Sequence, residues 1–477
     1  IRVKPIKDKK ELGMEFPLPI DYYQYYGSKP EEILASIIGH EGKGSLLSLL
    51  KEKGLATGLG ANGAPDTPDY GSLGIFISLT EKGVEQYRDV LKYCFSYFDM
   101  LKKEGFKDYL FEEKQTIAKL EEVYSDKGEG AWAAIDYANS LAFYPMEIAH
   151  RVKYYYGAPD PDAYLKLLSY LRPDNMLCVL SDSGQETPME EFWYKSKYGF
   201  EEINDELYQA LFAPEIHTEL HLPKPNPYLP ESANLLGSQS GEEGYPYILE
   251  DSKGLKLYYG QDIEFQRPKA SYNYKIFYPE KYTDLHSQTL LALLIAGVNE
   301  SMNEASYPAR LAGMEYSVSM DEEAIYIDVS GYSDSVDDLL NTILENMRNI
   351  SISDEQFVDL RNKLIRDWKN AAKGNAYQIA REYMRKMVRK HYYISDEFAS
   401  TAENISLSDI RNFSDKILKK GYIQGLVYGN VTEEQARRNT DLLINKLKIK
   451  AEKWDKVTHQ GRLSFSHGED IIQVVRS

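Results

Sequence analysis

The sequence predicts an α+β fold of two homologous domains, each a mostly antiparallel sheet with helices packed on one face, joined by an extended linker. The composition suits a packed core, because apolar residues make up 43% of the 477 residues and charged residues 27%. The order strand, helix, strand, helices, strand occurs twice along the chain, which indicates an internal repeat. Between the copies, residues 213–252 are rich in Pro, Asn, Gly and Ser, a composition typical of an extended linker.

The first copy, residues 1–212, opens on an apolar segment at 12–20 that predicts a strand ended by prolines. Helical patterns follow at 29–38 and 45–53, and Gly54 ends the second helix. The short segment 39–44 separates the two helices with three glycines. Glycine weakens a helix interior by about 1 kcal/mol, so these glycines need a reason.

Residues 54–72 are rich in Gly and Pro. Within them, 58–63 predict a flexible, glycine-rich strand or loop, and the comparison of the two copies predicts a longer loop near 60–72. An apolar strand follows at 73–79. Apolar residues at helical spacing from Val84 to Leu101 predict an amphipathic helix. Further helices are predicted at 109–124, 130–141 and 160–170, and a closing strand at 175–180.

The second copy, residues 253–447, repeats this order with a strand at 272–278 and a helix at 287–305. A helix end at 308–313 places Gly313 where the first copy has Gly54. The remaining predicted elements are a strand at 324–329, helices at 336–347 and 354–372, and a closing strand at 425–429.

The charge balance excludes one class of partner. With 56 Lys and Arg against 74 Asp and Glu, the formal net charge is −18. Binding to a nucleic-acid backbone needs a basic surface, so nucleic acid is excluded as a partner.

No apolar run approaches the ~20 residues that cross a bilayer, so no membrane span is expected. Cys94 and Cys178 fall in apolar segments and predict buried free thiols. The chain opens on Ile1 without an initiator Met, so we expect a piece of a longer protein.

Two short motifs match the residue patterns of a dinucleotide-binding loop and of a zinc site, but the neighbouring sequence does not fit either site. Residues 58–63 match the glycine pattern of dinucleotide-binding loops, but a helix precedes them and prolines follow, where the fold needs a strand and then a helix. His217 and His221 stand four apart between prolines, and in an extended segment they lie ~13 Å apart, too far to share a zinc ion. No metal site, and no Ser or Cys nucleophile with its motif, is expected in this chain.

Segment 39–44 keeps two interpretations open. The glycines give either a kink that lets helices pack closely, or exposed backbone beside the Glu41 carboxylate that binds a peptide amine. The tyrosine-rich runs at 22–26 and 154–156 indicate half-buried packing or a wet wall that contacts peptides.

Several segments in the right order resemble the insulin-degrading enzyme and pitrilysin family of zinc metallopeptidases. IIGHEGKGSLLSLLKEKG at 37–54 closely resembles the family's second domain, and LPKPNPYLP at 222–230 resembles the linker that joins the two halves. LYYGQDIEFQRPKA at 257–270 is similar to the opening of the third domain. The resemblance implies that this chain holds the second and third domains, with residues 448–477 beginning a fourth.

The resemblance also implies where function lies. The family's zinc ligands and catalytic Glu belong to the first domain, so neither zinc nor a catalytic residue is expected in this chain. The family anchors a substrate's N-terminus on an exosite of the second domain, and its positions fall on Gly39, Glu41, Leu59, Ala61 and Gly63. Ala61 and Gly63 depart from the family's usual Gly and Gln. Peptide substrates and the missing first and fourth domains are the partners that this resemblance implies.

The resemblance therefore predicts the non-catalytic middle portion of a zinc metalloendopeptidase that forms a chamber wall with an exosite. Two alternatives stay open. A scaffold or processing-subunit relative would have lost the zinc motif in its own first domain. An acidic, tyrosine-rich module would bind sugars at its aromatic runs. Family members occupy both cytosol and periplasm, so the compartment stays open.

Overall fold

The computed structural model describes residues 1–18, 22–67, 70–124, 129–202, 204–230, 234–237 and 245–463. The chain divides into two compact units, Ile1–Leu229 and Pro230–Ser477. The boundary lies inside the predicted linker 213–252.

The first unit is built on a mixed sheet. Its described strands, numbered in chain order, are β1 (Arg2–Lys4), β2 (Glu11–Leu18), β3 (Ala56–Thr67), β4 (Tyr70–Leu79), β5 (Leu177–Ser181), β6 (Met189–Glu190) and β7 (Lys197–Gly199). They lie in the order β3-β4-β2-β5-β1-β7-β6. Among the described pairs of this sheet, β1 with β5 is parallel and the others are antiparallel.

Helices cover one face of this sheet. The described helices of this unit are α1 (Pro30–Ile38), α2 (Leu46–Glu52), α3 (Glu81–Glu85), α4 (Tyr87–Glu104), α5 (Asp108–Tyr124), α6 (Gly130–Leu141), α7 (Met146–Ala149), α8 (Pro161–Ser169) and α9 (Asp205–Phe212). Alternate residues of β2 are buried under them, as period-two side-chain alternation requires of a half-covered strand. On β4, Ile75 and Ile77 are fully buried, whereas Phe76 between them is 47% exposed.

The second unit repeats the architecture. Its described strands are β8 (Tyr247–Ser252), β9 (Leu255–Gln261), β10 (Lys269–Phe277), β11 (Glu315–Met320), β12 (Ala324–Tyr332), β13 (Lys420–Gly429) and β14 (Lys450–Ala451). Six of them lie in the order β11-β12-β10-β13-β9-β8, and β14 pairs with β13. The helices are α10 (Leu285–Leu311), α11 (Val336–Arg348), α12 (Asp354–Ala371), α13 (Ala376–Val388), α14 (Ser395–Ala402), α15 (Leu407–Ile417) and α16 (Glu433–Leu447).

The two sheets have equivalent topology, which confirms the predicted pair of homologous α+β domains. β3, β4, β2, β5 and β1 of the first sheet correspond in order and direction to β11, β12, β10, β13 and β9 of the second. Gly54 and Gly313 end equivalent helices with φ of 67° and 76°. Both occupy the left-handed region, where glycine carries no steric cost.

The predicted loop near residues 60–72 is wrong, because β3 runs to Thr67 and β4 begins at Tyr70. Of the two forms predicted for 58–63, the structure has the glycine-rich strand. Glycine and proline lower strand propensity, but pairing along β4 satisfies one side of the β3 backbone. The predicted segments 287–305 and 308–313 form the single helix α10, with Pro308 inside it. The sequence analysis also did not predict β11, which pairs with β12.

The two ends of the second unit differ from the predicted layout in detail. β8 occupies the last six residues of the predicted linker and pairs with β9. Beyond residue 448, β14 pairs with β13, and Val457 and Thr458 are buried. Pro19 and Ile20 of the first predicted strand, and residues 464–477, lie outside the described residues. Within the described part of the chain, no helix is both long and apolar enough to span a bilayer.

A corner of hydrogen bonds fixes the start of β3. The carbonyl of Leu55 accepts the backbone N–H of Thr80 at 3.1 Å, and the Thr80 hydroxyl donates to the carbonyl of Gly54 at 2.8 Å. A Cβ on Gly83 would lie 1.9 Å from the Leu55 oxygen. Gly83 therefore has no room for a side chain.

We expect Gly83→Ala to lower the free energy of unfolding by about 1–3 kcal/mol, because the backbone at Leu55 must shift. Gly130→Ala is the matched control, since a Cβ there meets nothing within 4 Å, and it should leave stability unchanged or raise it by up to about 1 kcal/mol. Urea unfolding followed by circular dichroism measures both. Equal stability of the two variants would contradict the role of this corner.

Candidate functional site

β3 is an edge strand, since among the described strands it pairs with β4 alone. One side of its backbone is therefore available for a further strand, which is how extended peptides add to sheets. The predicted site residues Leu59, Ala61 and Gly63 lie two apart and share the helix-covered face. Their antiparallel partners on β4 are the buried residues Ile77, Ile75 and Leu73.

The end of α1 meets this edge strand at Gly39. A Cβ on Gly39 would lie 3.1 Å from the carbonyl oxygen of Ala35 and 3.3 Å from the backbone nitrogen of Ala61. Glycine therefore lets the helix end approach the strand closely. Two of the predicted site residues, Gly39 and Ala61, are in direct contact, although they stand 22 positions apart in the chain.

Glu41 follows in the connection between α1 and α2 and is partly exposed. Its neighbour His40 is buried, and the Nδ1 atom of His40 accepts the backbone N–H of Gly42 at 3.0 Å. Burial, followed by the effect of His221, lowers the pKa of His40 to about 4 from its ordinary value near 6.5. A neutral imidazole therefore holds the turn that carries Glu41.

Two glycines of this connection are explained by their own neighbours. A Cβ on Gly42 would lie 2.6 Å from the His40 ring. Gly44 has φ of 83°, and a Cβ there would lie 2.1 Å from the ring of His221. Contacts with the His40 and His221 rings therefore account for Gly42 and Gly44, whereas Gly39 contacts the edge strand. Sequence reasoning missed His221 because its contact with Gly44 spans 177 positions.

The two histidines of the 217–221 motif pack against different elements. The His217 ring lies 4.8 Å from the Tyr93 ring of α4, and His221 lies against Gly44. No group of three or more His, Cys, Asp or Glu that could hold a metal occurs among the residues the structure describes. The described donors therefore do not fit a zinc site, and the absence of zinc from the whole chain stays a prediction.

The glycine motif at 58–63 lies within β3, and β4 follows it instead of a helix. This order of elements lacks the helix N-terminus that holds a pyrophosphate group.

The two cysteine thiols lack the features of a nucleophile. Burial raises the pKa of Cys94, and burial raises that of Cys178 to about 11.

Several described tyrosines of the aromatic runs pack against other rings. Tyr23 stacks on Phe143 with ring centroids 4.4 Å apart, and Tyr26 lies 5.9 Å from Tyr155. Tyr156 is buried and hydrogen-bonded to Glu32. These rings form an aromatic cluster with half-buried members, as the packing interpretation of the runs expects.

Comparison with known proteins agrees with this architecture. The family model described as "Middle or third domain of peptidase_M16" matches residues 123–401, and "Peptidase M16 inactive domain" matches residues 1–117. Insulin-degrading enzyme of Homo sapiens is 29% identical over 437 residues, covering 91% of this chain and 43% of that protein. A-factor-processing enzyme of Saccharomyces cerevisiae is 27% identical over 456 residues, covering 94% of this chain and 44% of that protein.

The crystal structure of pitrilysin matches 95% of this chain and 48% of that chain, with a TM-score of 0.66 and 22% identity, which shows a shared fold. The chain thus spans less than half the length of the relatives named here. The first family model covers more than half of the chain, and the second covers most of what precedes it. The chain belongs to the M16 peptidase family and carries its middle and inactive domains.

Proposed function

We propose that this chain is the non-catalytic middle portion of a zinc metalloendopeptidase and that it binds the N-terminal part of extended peptide substrates. The observation that carries the proposal is the edge position of β3, which pairs with β4 alone among the described strands, with Gly39 packed against Ala61. A peptide that adds to this edge as a further strand gains backbone hydrogen bonds without needing particular side chains. The partly exposed carboxylate of Glu41 then supplies a charged acceptor for the peptide's N-terminal amine.

Such a contact suits a peptidase that accepts many sequences. Backbone pairing recognises any extended segment, and the charge of Glu41 selects for a free amine. In the parent protein this surface would form part of a chamber wall that orients the substrate. Zinc, held in the parent's first domain, would activate the attacking water there, and the residues of this chain would contribute binding and orientation only.

The two alternatives make different predictions. A scaffold or processing subunit would share this architecture without peptidase activity in the parent. An upstream H-x-x-E-H motif in the reading frame distinguishes a peptidase from that scaffold. A sugar-binding module requires open ring faces, whereas the described rings at Tyr23, Tyr26 and Tyr156 pack against neighbours. This packing favours the peptide-binding proposal.

We expect Glu41→Gln to weaken binding of an extended octapeptide of alternating Val and Thr roughly ten-fold, because a charged hydrogen bond becomes a neutral one. Fluorescence anisotropy with a label at the peptide's C-terminus measures this loss. N-terminal acetylation of the peptide should weaken binding to the wild type similarly and leave the affinity of the variant unchanged. Glu52→Gln removes an exposed charge from α2 and serves as the control.

The same peptide tests strand addition. N-methylation of alternate backbone amides in the register that faces β3 should abolish binding, whereas methylation in the other register should be tolerated. Equal binding of the two methylated peptides would exclude pairing with the β3 edge.

We expect the 477-residue chain neither to bind stoichiometric zinc nor to hydrolyse peptides. Elemental analysis after dialysis against zinc should find well below one atom per chain, and mass spectrometry should find the octapeptide intact. One zinc atom per chain together with chelator-sensitive cleavage would overturn this part of the proposal.

Acid should loosen the connection that carries Glu41. The unfolded chain takes up a proton on His40 between pH 6.5 and 4, whereas the folded chain does not. The free energy of unfolding therefore falls as the pH drops through this range, by about 2 kcal/mol between pH 7 and 5. His40→Asn keeps an acceptor for Gly42 but does not titrate, so this decline should be smaller in the variant.

Urea unfolding at pH 7 and pH 5 measures the difference between the two proteins. The comparison cancels other groups, among them Glu31, whose burial raises its pKa to about 7 and acts in the opposite direction. Identical pH dependence in wild type and His40→Asn would contradict the role assigned to His40.

A further inference from the structure

The last part of the first unit, residues 213–229, is hydrogen-bonded to two helices, and we call it the strap. The Ser96 hydroxyl of α4 donates to the carbonyl of Glu215 at 2.6 Å. The Tyr109 hydroxyl of α5 donates to the carbonyl of Pro223 at 2.6 Å. Sequence composition predicts an extended linker here, but these contacts attach the strap to two helices.

Between these two attachments, the strap reaches the connection that carries Glu41. Leu220 is 4% exposed and belongs to the core of the first unit. The backbone N–H of His221 donates to the carbonyl of Gly44 at 3.0 Å. The His221 ring occupies the space that a side chain at Gly44 would need. The strap and the connection therefore fit together by both hydrogen bonding and shape.

A short series of contacts leads from His221 to the candidate site. Gly44 lies two residues after Gly42, whose N–H donates to His40. His40 lies in the chain between Gly39, which contacts the β3 edge, and Glu41. Because Gly44 lies in the left-handed region with φ of 83°, its conformation sets the direction in which the connection enters α2.

We propose that His221 is a positioning residue for the peptide site: it holds residues 39–45 in the conformation that presents Gly39 and Glu41 to the β3 edge. This inference rests on the proposed function. His221 acts through Gly44. Attachment of the strap and binding of the peptide's N-terminus are then linked, so each stabilises the other.

The reciprocal effect follows from the same linkage. A bound peptide fixes residues 39–45 and thereby holds the strap through Gly44 and His221. Amide hydrogen exchange within residues 215–222 should slow when the octapeptide binds to the full chain. Exchange within residues 40–45 should quicken when the His221 ring is removed.

The variant that tests the proposal is His221→Ala in the full chain. The readout is the ratio of two dissociation constants, that of the N-acetylated octapeptide over that of the peptide with a free N-terminus. General destabilisation changes the fraction of folded protein and affects both constants equally, so it leaves the ratio unchanged. We expect the ratio to fall at least five-fold in His221→Ala.

Two further variants sharpen the test. His217→Ala removes a ring from the same strap, but that ring packs on Tyr93 and not on residues 39–45, so the ratio should stay at the wild-type value. His221→Phe restores a ring of similar shape over Gly44 and should recover most of the ratio.

The outcomes separate the two proposals. A wild-type chain that shows no preference for the free N-terminus defeats the proposed function itself. A wild-type preference that His221→Ala leaves intact, with unchanged exchange at residues 40–45, overturns the role of His221. An equal loss in His217→Ala would assign the effect to the strap as a whole and would also overturn it.

Discussion

The antiparallel pairing of β3 with β4 is the interaction on which the rest of the site depends. β3 is rich in glycine and other small residues, so its own propensity for strand structure is low. The hydrogen bonds to β4, together with the hydrogen-bonded corner at Leu55 and Thr80, hold the strand in place. Because Gly39 has no side chain and Ala61 of β3 has a small one, the end of α1 lies close to β3. An edge strand presents a row of backbone groups with which a further strand can pair, and the proposed peptide site uses this property.

The two units share one topology but differ in structure at the sheet edge. In the second unit β11 occupies the position of β3, but α10 runs without a break where the first unit has α1, a connection and α2. Asn299 of α10 donates to the carbonyl of Val318 on β11 at 3.1 Å. A backbone acceptor of that strand is thus already engaged by the unit's own helix. This difference is the reason for placing the proposed peptide site in the first unit.

The connection between α1 and α2 is supported both by a distant part of the chain and by one of its own residues. The strap contributes His221, and the buried His40 contributes a neutral acceptor. The rings of His221 and His40 occupy the space that a Cβ at Gly44 and at Gly42 would need, and they explain two glycines that binding to a peptide alone would not require. Rigid support around a small number of binding groups is the usual condition for selective recognition.

The sequence by itself determined the α+β class, the internal repeat and most helices, because apolar periodicity and helix-ending glycines such as Gly54 are local signals. Family resemblance named Gly39 and Ala61. Composition left residues 58–63 open between strand and loop, and tertiary structure decided that residues 56–67 form a strand, since its stability comes from pairing with β4 and not from its own composition. It also decided the neighbours of Gly39 and Gly44, because close approach between segments far apart in the chain leaves no local signal.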